Sequence, residues 1–215
     1  MERLRLDGWR IEGFPDAVKV AAIKGPSALK LAHYVLHLQD LQFAHECVVT
    51  LRDNPPQAPI VREALWHSAI IHYVKCFGKN NSRSMLPRAK IYDAGPSRVA
   101  FNYFHDLRNK HVAHDENAYS QALPGAIIAA EGKSYKIEKI VCTGFTAQTL
   151  VEANITNLCS LIEVALSWIE HQIDEICAEL TKELEAEDYS ALLSRPDMTY
   201  RAPTLDELGS KRQQD

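Results

Sequence analysis

Val151-Glu152-Ala153-Asn154-Ile155-Thr156-Asn157-Leu158-Cys159-Ser160-Leu161-Ile162 opens the stretch that decides the fold. Its apolar residues step onward through Ala165, Ile169, Ile173, Ile176, Leu180 and Leu184, always three or four apart. That spacing puts one apolar stripe along one helix face. The pattern predicts a very long C-terminal helix, from about Ala147 to Glu185. At ~1.5 Å per residue it would reach on the order of 55–60 Å, more than a compact bundle of this size needs. Its outer half is therefore expected to pack on another chain or on the N-terminal segment.

Working outward, the same period recurs in Leu31, Val35, Leu38, Leu41, Ala44, Val48 and Leu51. This predicts a helix from Ser27, read as its N-cap, to about Arg52, where Asp53-Asn54-Pro55-Pro56 stops it. A second helix is expected from Pro59 to Phe77, burying Ile60, Ala64, Ile70, Ile71, Val74 and Phe77. Trp66, His67, His72 and Tyr73 form its mixed aromatic and polar face, and Gly78 is placed at C′. Residues 79–96 are expected to form a loop, with Lys79, Arg83, Arg88 and Lys90 and no acidic residue between 79 and 90. A third helix, capped by Ser97, places Ala100, Phe104, Leu107 and His111 on one face. After Tyr119 the period changes. A β-hairpin is expected at about 125–142, with Gly132 in its turn. Together these define an all-α fold: a bundle of four main helices with one very long C-terminal helix and a small hairpin insertion. The organisation is an irregular segment over 1–26, a helical domain over 27–185, and a C-terminal tail over 186–215 with a short helix near Tyr189 and otherwise little order.

Composition narrows the classes. The chain has 215 residues, 46% hydrophobic and 24% charged, which fits a globular protein and not a disordered one. A net charge of −4 argues against a protein that coats nucleic acid, but leaves room for an enzyme with a local basic patch. Five cysteines (47, 76, 142, 159, 177) without a CxxC pair argue against a disulfide framework or a thiolate zinc site. No apolar h-region or membrane-length run is present, so a cytoplasmic protein with no membrane partner is expected.

The chemistry concentrates in Leu107-Arg108-Asn109-Lys110-His111-Val112-Ala113-His114-Asp115. An imidazole moves protons near neutral pH, and a guanidinium holds phosphate oxygens as charge builds on them. RNA carries its own nucleophile, the 2′-OH, so this pair suffices to cleave it without a metal. Positions six apart on a regular helix differ by ~240°, so Arg108 and His114 diverge unless the helix ends or bends, or two copies meet across a dimer axis. The plainer reading is a helix end whose His and Lys satisfy last-turn carbonyls. A metal site is the competing chemistry, either from His105, His111, His114 and Asp115 or from His33 and His37 at i, i+4. No HExxH or Glu-x-x-His element supports it.

Arg108-Asn109, four further residues and His114 match the motif of the HEPN superfamily, and the surrounding words resemble its abortive-infection, toxin-like branch. The resemblance covers roughly residues 27–185. It implies a helical, metal-independent endoribonuclease whose composite site forms where two protomers meet, with a toxin or antiviral-defence role. Carried over by position, Arg108 stabilises the phosphate, His114 transfers protons, and Asn109 positions the site or lines the dimer seam. Lys110 and His111 within the stretch, and Lys79 and Arg83 from the basic loop, are the candidate substrate contacts. No metal ligand is assigned and no cofactor is expected. The expected partners are RNA, a second copy of the chain and an antitoxin protein. The alternatives are an inactive HEPN-like RNA- or protein-binding module and a His-ligated metal enzyme in a helical bundle.

Overall fold

The computed structural model describes residues 6–7, 10–11, 13–79, 83–112, 117–199, 202 and 204–209. A two-residue pairing of β1 (Leu6–Asp7) with β2 (Arg10–Ile11) is followed by helices α1 (Pro26–Asp53), α2 (Pro59–Lys75), α3 (Arg88–Ile91) and α4 (Pro96–Leu107). A π-helical turn, Arg108–Val112, continues α4. Strands β3 (Ser120–Ile128) and β4 (Ile137–Thr146) pair antiparallel, and α5 (Glu152–Glu185) and α6 (Tyr189–Ser194) follow. A 3₁₀ turn spans Leu205–Gly209. The protein is mostly helical but not strictly all-α, because β3 and β4 form a sheet of 9- and 10-residue strands.

Two helix starts differ from the sequence reading. α1 and α4 begin at Pro26 and Pro96, not at capping serines. Proline suits the first helical position: its φ is preset and its missing N–H would have no partner there. Gly25 (φ 122°) and Gly95 (φ 125°) precede them in backbone that L side chains rarely adopt. The carbonyls of Gly25 and Gly95 accept the N–H of Leu29 (2.9 Å) and Val99 (3.1 Å), the first bond of each helix. Ser27 and Ser97 lie inside the first turn. Gly78 does not take the left-handed conformation expected of a C′ glycine.

The chain divides into two compact units. The first takes Met1–His37, Lys79–Ser84 and Ile169–Asp215. Here the outer half of α5 buries Ile169, Ile173, Ile176 and Leu180. The segment after α6 is not a loose tail over residues 195–199. Ala22 N–H donates to Pro196 C=O (2.8 Å), Met198 N–H donates to Val20 C=O (2.8 Å), and Lys19 Nζ meets Asp197 at 3.1 Å.

The second unit takes Leu38–Gly78 and Met85–Trp168. Leu41, Ala44, Val48, Ile70, Phe104, Leu158, Ile162 and Ala165 are buried in it, much as the helical periods predict, and Phe101, outside the expected apolar face, is buried too. Ile70, Val74 and Phe77 are buried as expected, but the rest of the buried face of the second helix differs. Ile60, Ala64 and Ile71 are exposed, while Trp66, Ala69 and Tyr73 are wholly buried. The reason is that both aromatic polar tips find partners. Trp66 Nε1–H donates to Thr149 Oγ1 (3.0 Å), Tyr73 O–H donates to Tyr92 Oη (2.8 Å), and Tyr92 O–H donates to Leu161 C=O (2.8 Å). Residues 85–95 are accordingly no simple loop: α3 forms there, and Leu86, Ile91 and Tyr92 are buried.

α5 begins at Glu152 rather than Ala147 and runs 34 residues, about 51 Å at 1.5 Å per residue. Val151 therefore lies outside the seam and is exposed. The hairpin is longer than expected, and most of both its faces is exposed, including Leu123, Ile127, Ile128, Ile140 and Phe145.

Candidate functional site

Phe101, Phe104 and Leu107 anchor α4 in the core, and this fixes the direction in which Arg108 leaves the helix. At Arg108 the α-helix gives way to the π-helical turn. Such wide i→i+5 turns are rare and concentrate at functional sites. The ~240° separation of Arg108 and His114 assumed regular α-helix, and that periodicity stops at Leu107.

The turn builds a short polar chain. Arg108 Nη1–H donates to Asn109 Oδ1 at 2.9 Å. The Asn109 amide in turn donates from Nδ2 to His105 Nε2 at 3.2 Å. The His105 ring stacks on buried Phe101, with ring centres 5.9 Å apart and planes 28° apart. The guanidinium is thus held, through one amide, by a ring lying on the core. Arg108 Nε and His111 Nδ1 are buried and have no hydrogen-bond partner among the described residues. Buried polar atoms usually do have one; Arg98 Nε is in the same state. His111 also sits 5.5 Å, ring to ring, from Tyr119. Lys110 points to solvent.

His114 lies outside the described residues, as do Ala113, Asp115 and Glu116. Of the motif, the structure therefore places Arg108 and Asn109 together. Lys79 and Arg83 belong to the first unit, and Arg108–His111 to the second.

The His33/His37 pair has a structural job in the first unit. His37 Nε2–H donates to Ser84 C=O (2.7 Å), while His33 Nδ1 accepts Ser84 N–H (3.3 Å). The two imidazoles clasp one residue's backbone through His37 Nε2 and His33 Nδ1. His105 and His111 do not converge with a third ligating side chain among the described residues.

Sequence reasoning missed a second polar cluster. Asp40, on α1, accepts from His72 Nδ1 (2.8 Å) and Lys75 Nζ (3.0 Å), both on α2. Phe43 lies against the His72 ring at 4.5 Å. The signal available was the i, i+3 pair His72 and Lys75; their carboxylate partner lies more than thirty positions away. Cysteine nucleophiles gain no support: burial, then the Glu163 carboxylate accepting its S–H, push the Cys159 thiol up to about 11.

Comparison with protein-family models, curated proteins and solved structures finds no match for the chain. Among the described residues no helix is long and apolar enough to cross a membrane.

Proposed function

We propose that the chain is a HEPN-type endoribonuclease, a cytoplasmic helical-bundle protein that cleaves RNA by Arg108 and His114 in a composite site between two copies. The observation that carries this reading is the π-helical turn at Arg108, with the guanidinium held by Asn109 and His105. A catalytic cation gains most when it is preorganised against the position where charge develops. In the proposed reaction His114 removes the proton of a ribose 2′-OH, whose oxygen attacks the adjacent phosphorus. Arg108 stabilises the charge on the phosphate oxygens. The bond to the 5′-oxygen breaks, that oxygen takes up a proton, and a 2′,3′-cyclic phosphate remains. The roles of Lys79, Lys110, Arg83 and His111 as substrate contacts rest on their charge and hydrogen-bonding capacity.

The exposed apolar hairpin supports the second copy, since large uncovered apolar patches mark interaction surfaces. It equally favours a reading in which the chain has lost cleavage and only binds RNA or an antitoxin-like protein. The test is RNA cleavage by the wild type, Arg108→Ala and His114→Ala, without added Mg²⁺. The expected outcome is cleavage by the wild type and its loss in both variants, with helical circular dichroism unchanged. Full cleavage by either variant overturns the mechanism. A wild type that binds RNA without cutting it selects the binding module.

A further inference from the structure

His45 on α1, with Cys159 and Glu163 on α5, bring one imidazole nitrogen, one thiol sulfur and one carboxylate oxygen within 4.8 Å of one another. All three belong to the second unit. We propose that this cluster is a zinc site that joins α1 to α5 and is separate from the Arg108 turn.

The geometry fits the ion. Zinc takes its ligands tetrahedrally at about 2.0–2.3 Å, which sets ligand atoms about 3.3–3.8 Å apart. Here His45 Nε2 lies 3.5 Å from Glu163 Oε1, and Cys159 Sγ lies 3.3 Å from the same oxygen. Two edges of the tetrahedron are therefore already near length, and the third, from His45 to Cys159 Sγ, is within 4.8 Å. Cys159 and Glu163 are four apart on one helix, so a single face presents both, as two-ligand helical motifs do. The set of sulfur, nitrogen and oxygen suits a borderline-soft ion better than Mg²⁺ or Ca²⁺, which prefer all-oxygen shells.

Access and charge agree with the geometry. Cys159 is buried at the bottom, while the side chains of His45 and Glu163 are 31% and 53% exposed, so an ion enters from solvent. A cation stands beside the cluster: Arg52 Nη1 lies 3.4 Å from Cys159 Sγ. It is paired with Asp53 at 2.7 Å, and its N–H can donate to a bound thiolate as an outer partner. Once the metal has displaced the thiol proton, thiolate, Glu163 and Asp53 against Arg52 leave a net charge of about −2, which matches a divalent cation. Binding replaces the thiol proton, which goes to solvent. Three protein ligands leave a fourth position for water or an exogenous ligand.

The test uses the untagged full chain, stripped with EDTA and dialysed, then titrated with Zn²⁺ against a chromophoric chelator and separately with Co²⁺. One equivalent should bind, with a thiolate-to-Co(II) charge-transfer band. Cys159→Ser should lose the band. His45→Ala and Glu163→Gln, at more exposed positions, should lose more affinity than the roughly 10–100-fold that removal of an outer partner costs. Zn²⁺ should raise the Tm of the wild type and leave that of the variants unchanged. Should Cys159→Ser fail to fold by circular dichroism, the other two variants decide. Absence of stoichiometric binding, or binding unchanged by His45→Ala and Glu163→Gln, overturns the proposal. RNA cleavage is not among the readouts, so this proposal and the nuclease reading stand or fall separately.

Discussion

Tyr92 shows how much one polar atom decides at the scale of the residue. Its hydroxyl accepts from Tyr73 and donates to the Leu161 carbonyl, joining α2, the 85–95 connection and α5. Burial holds both phenols neutral, pushing the Tyr73 and Tyr92 pKa values well above the usual tyrosine range. Tyr73→Phe removes one donor and leaves the Tyr92–Leu161 bond intact, a loss of about 0.5–1.5 kcal/mol. Tyr92→Phe leaves the buried Tyr73 hydroxyl without its acceptor, costing about 1–3 kcal/mol, and also removes the bond to the Leu161 carbonyl, which keeps its helical partner. Urea denaturation should therefore rank Tyr92→Phe as the more destabilising; the reverse order contradicts the direction of these bonds. The folded pKa values lie above the unfolded one, so this stability is fully present below about pH 10 and is lost as pH rises beyond it. Tyr73 belongs to the α2 face that periodicity reads as mixed aromatic and polar. Residue type alone does not show whether a phenol's hydroxyl will meet water or another phenol.

Among the elements, α4 is the best measure of what pattern reading sees. Phe104 and Leu107 were legible as core because their spacing demands it. The cap of the helix was misplaced by two residues, since a serine after a proline looks like a cap and the glycine before it looks like mere punctuation. Gly95 is the residue that lets the chain enter: at φ 125° and ψ −149° it occupies a region essentially reserved for glycine. A Cβ there would meet nothing within 4 Å, so Gly95→Ala tests backbone strain alone. The expected loss is about 1–3 kcal/mol. Gly144→Ala, also in open space but without a positive φ, is the near-neutral control. Equal midpoints for the two variants in a denaturant titration would exclude strain at Gly95. The end of α4 is the opposite case. Nothing in Arg108-Asn109-Lys110-His111-Val112 announces a π-helical turn, because a change of period over five residues is too short to leave a hydrophobic signature.

For the molecule as a whole, two segments far apart in sequence, residues 19–22 and 193–198, are tied within the first unit. Residues 20–22 and 196–198 exchange backbone hydrogen bonds, and Ala21 bridges Asp197. Lys19 Nζ caps the end of α6 by donating to the carbonyls of Leu193 (3.0 Å) and Arg195 (2.6 Å). A chain ending at Ser194 loses all of these contacts beyond that point. Hydrogen exchange should then accelerate at the Ala22 amide, while the amides of α2 and α4 keep their protection. Unchanged exchange at Ala22 would mean that this pairing contributes nothing to local stability. The sequence alone determined the long helices and the hairpin, because helical and strand periods are local, repeated signals that a single stretch carries in full. It also marked Arg108 and Asn109, since guanidinium and amide chemistry is written in residue type. Only the tertiary structure decided which face of α2 is core, that His33 and His37 clasp Ser84, and that His45 meets Cys159 and Glu163. Each of these depends on partners far away in the chain, and whether a polar group is buried is settled by what stands opposite it, which no local pattern records.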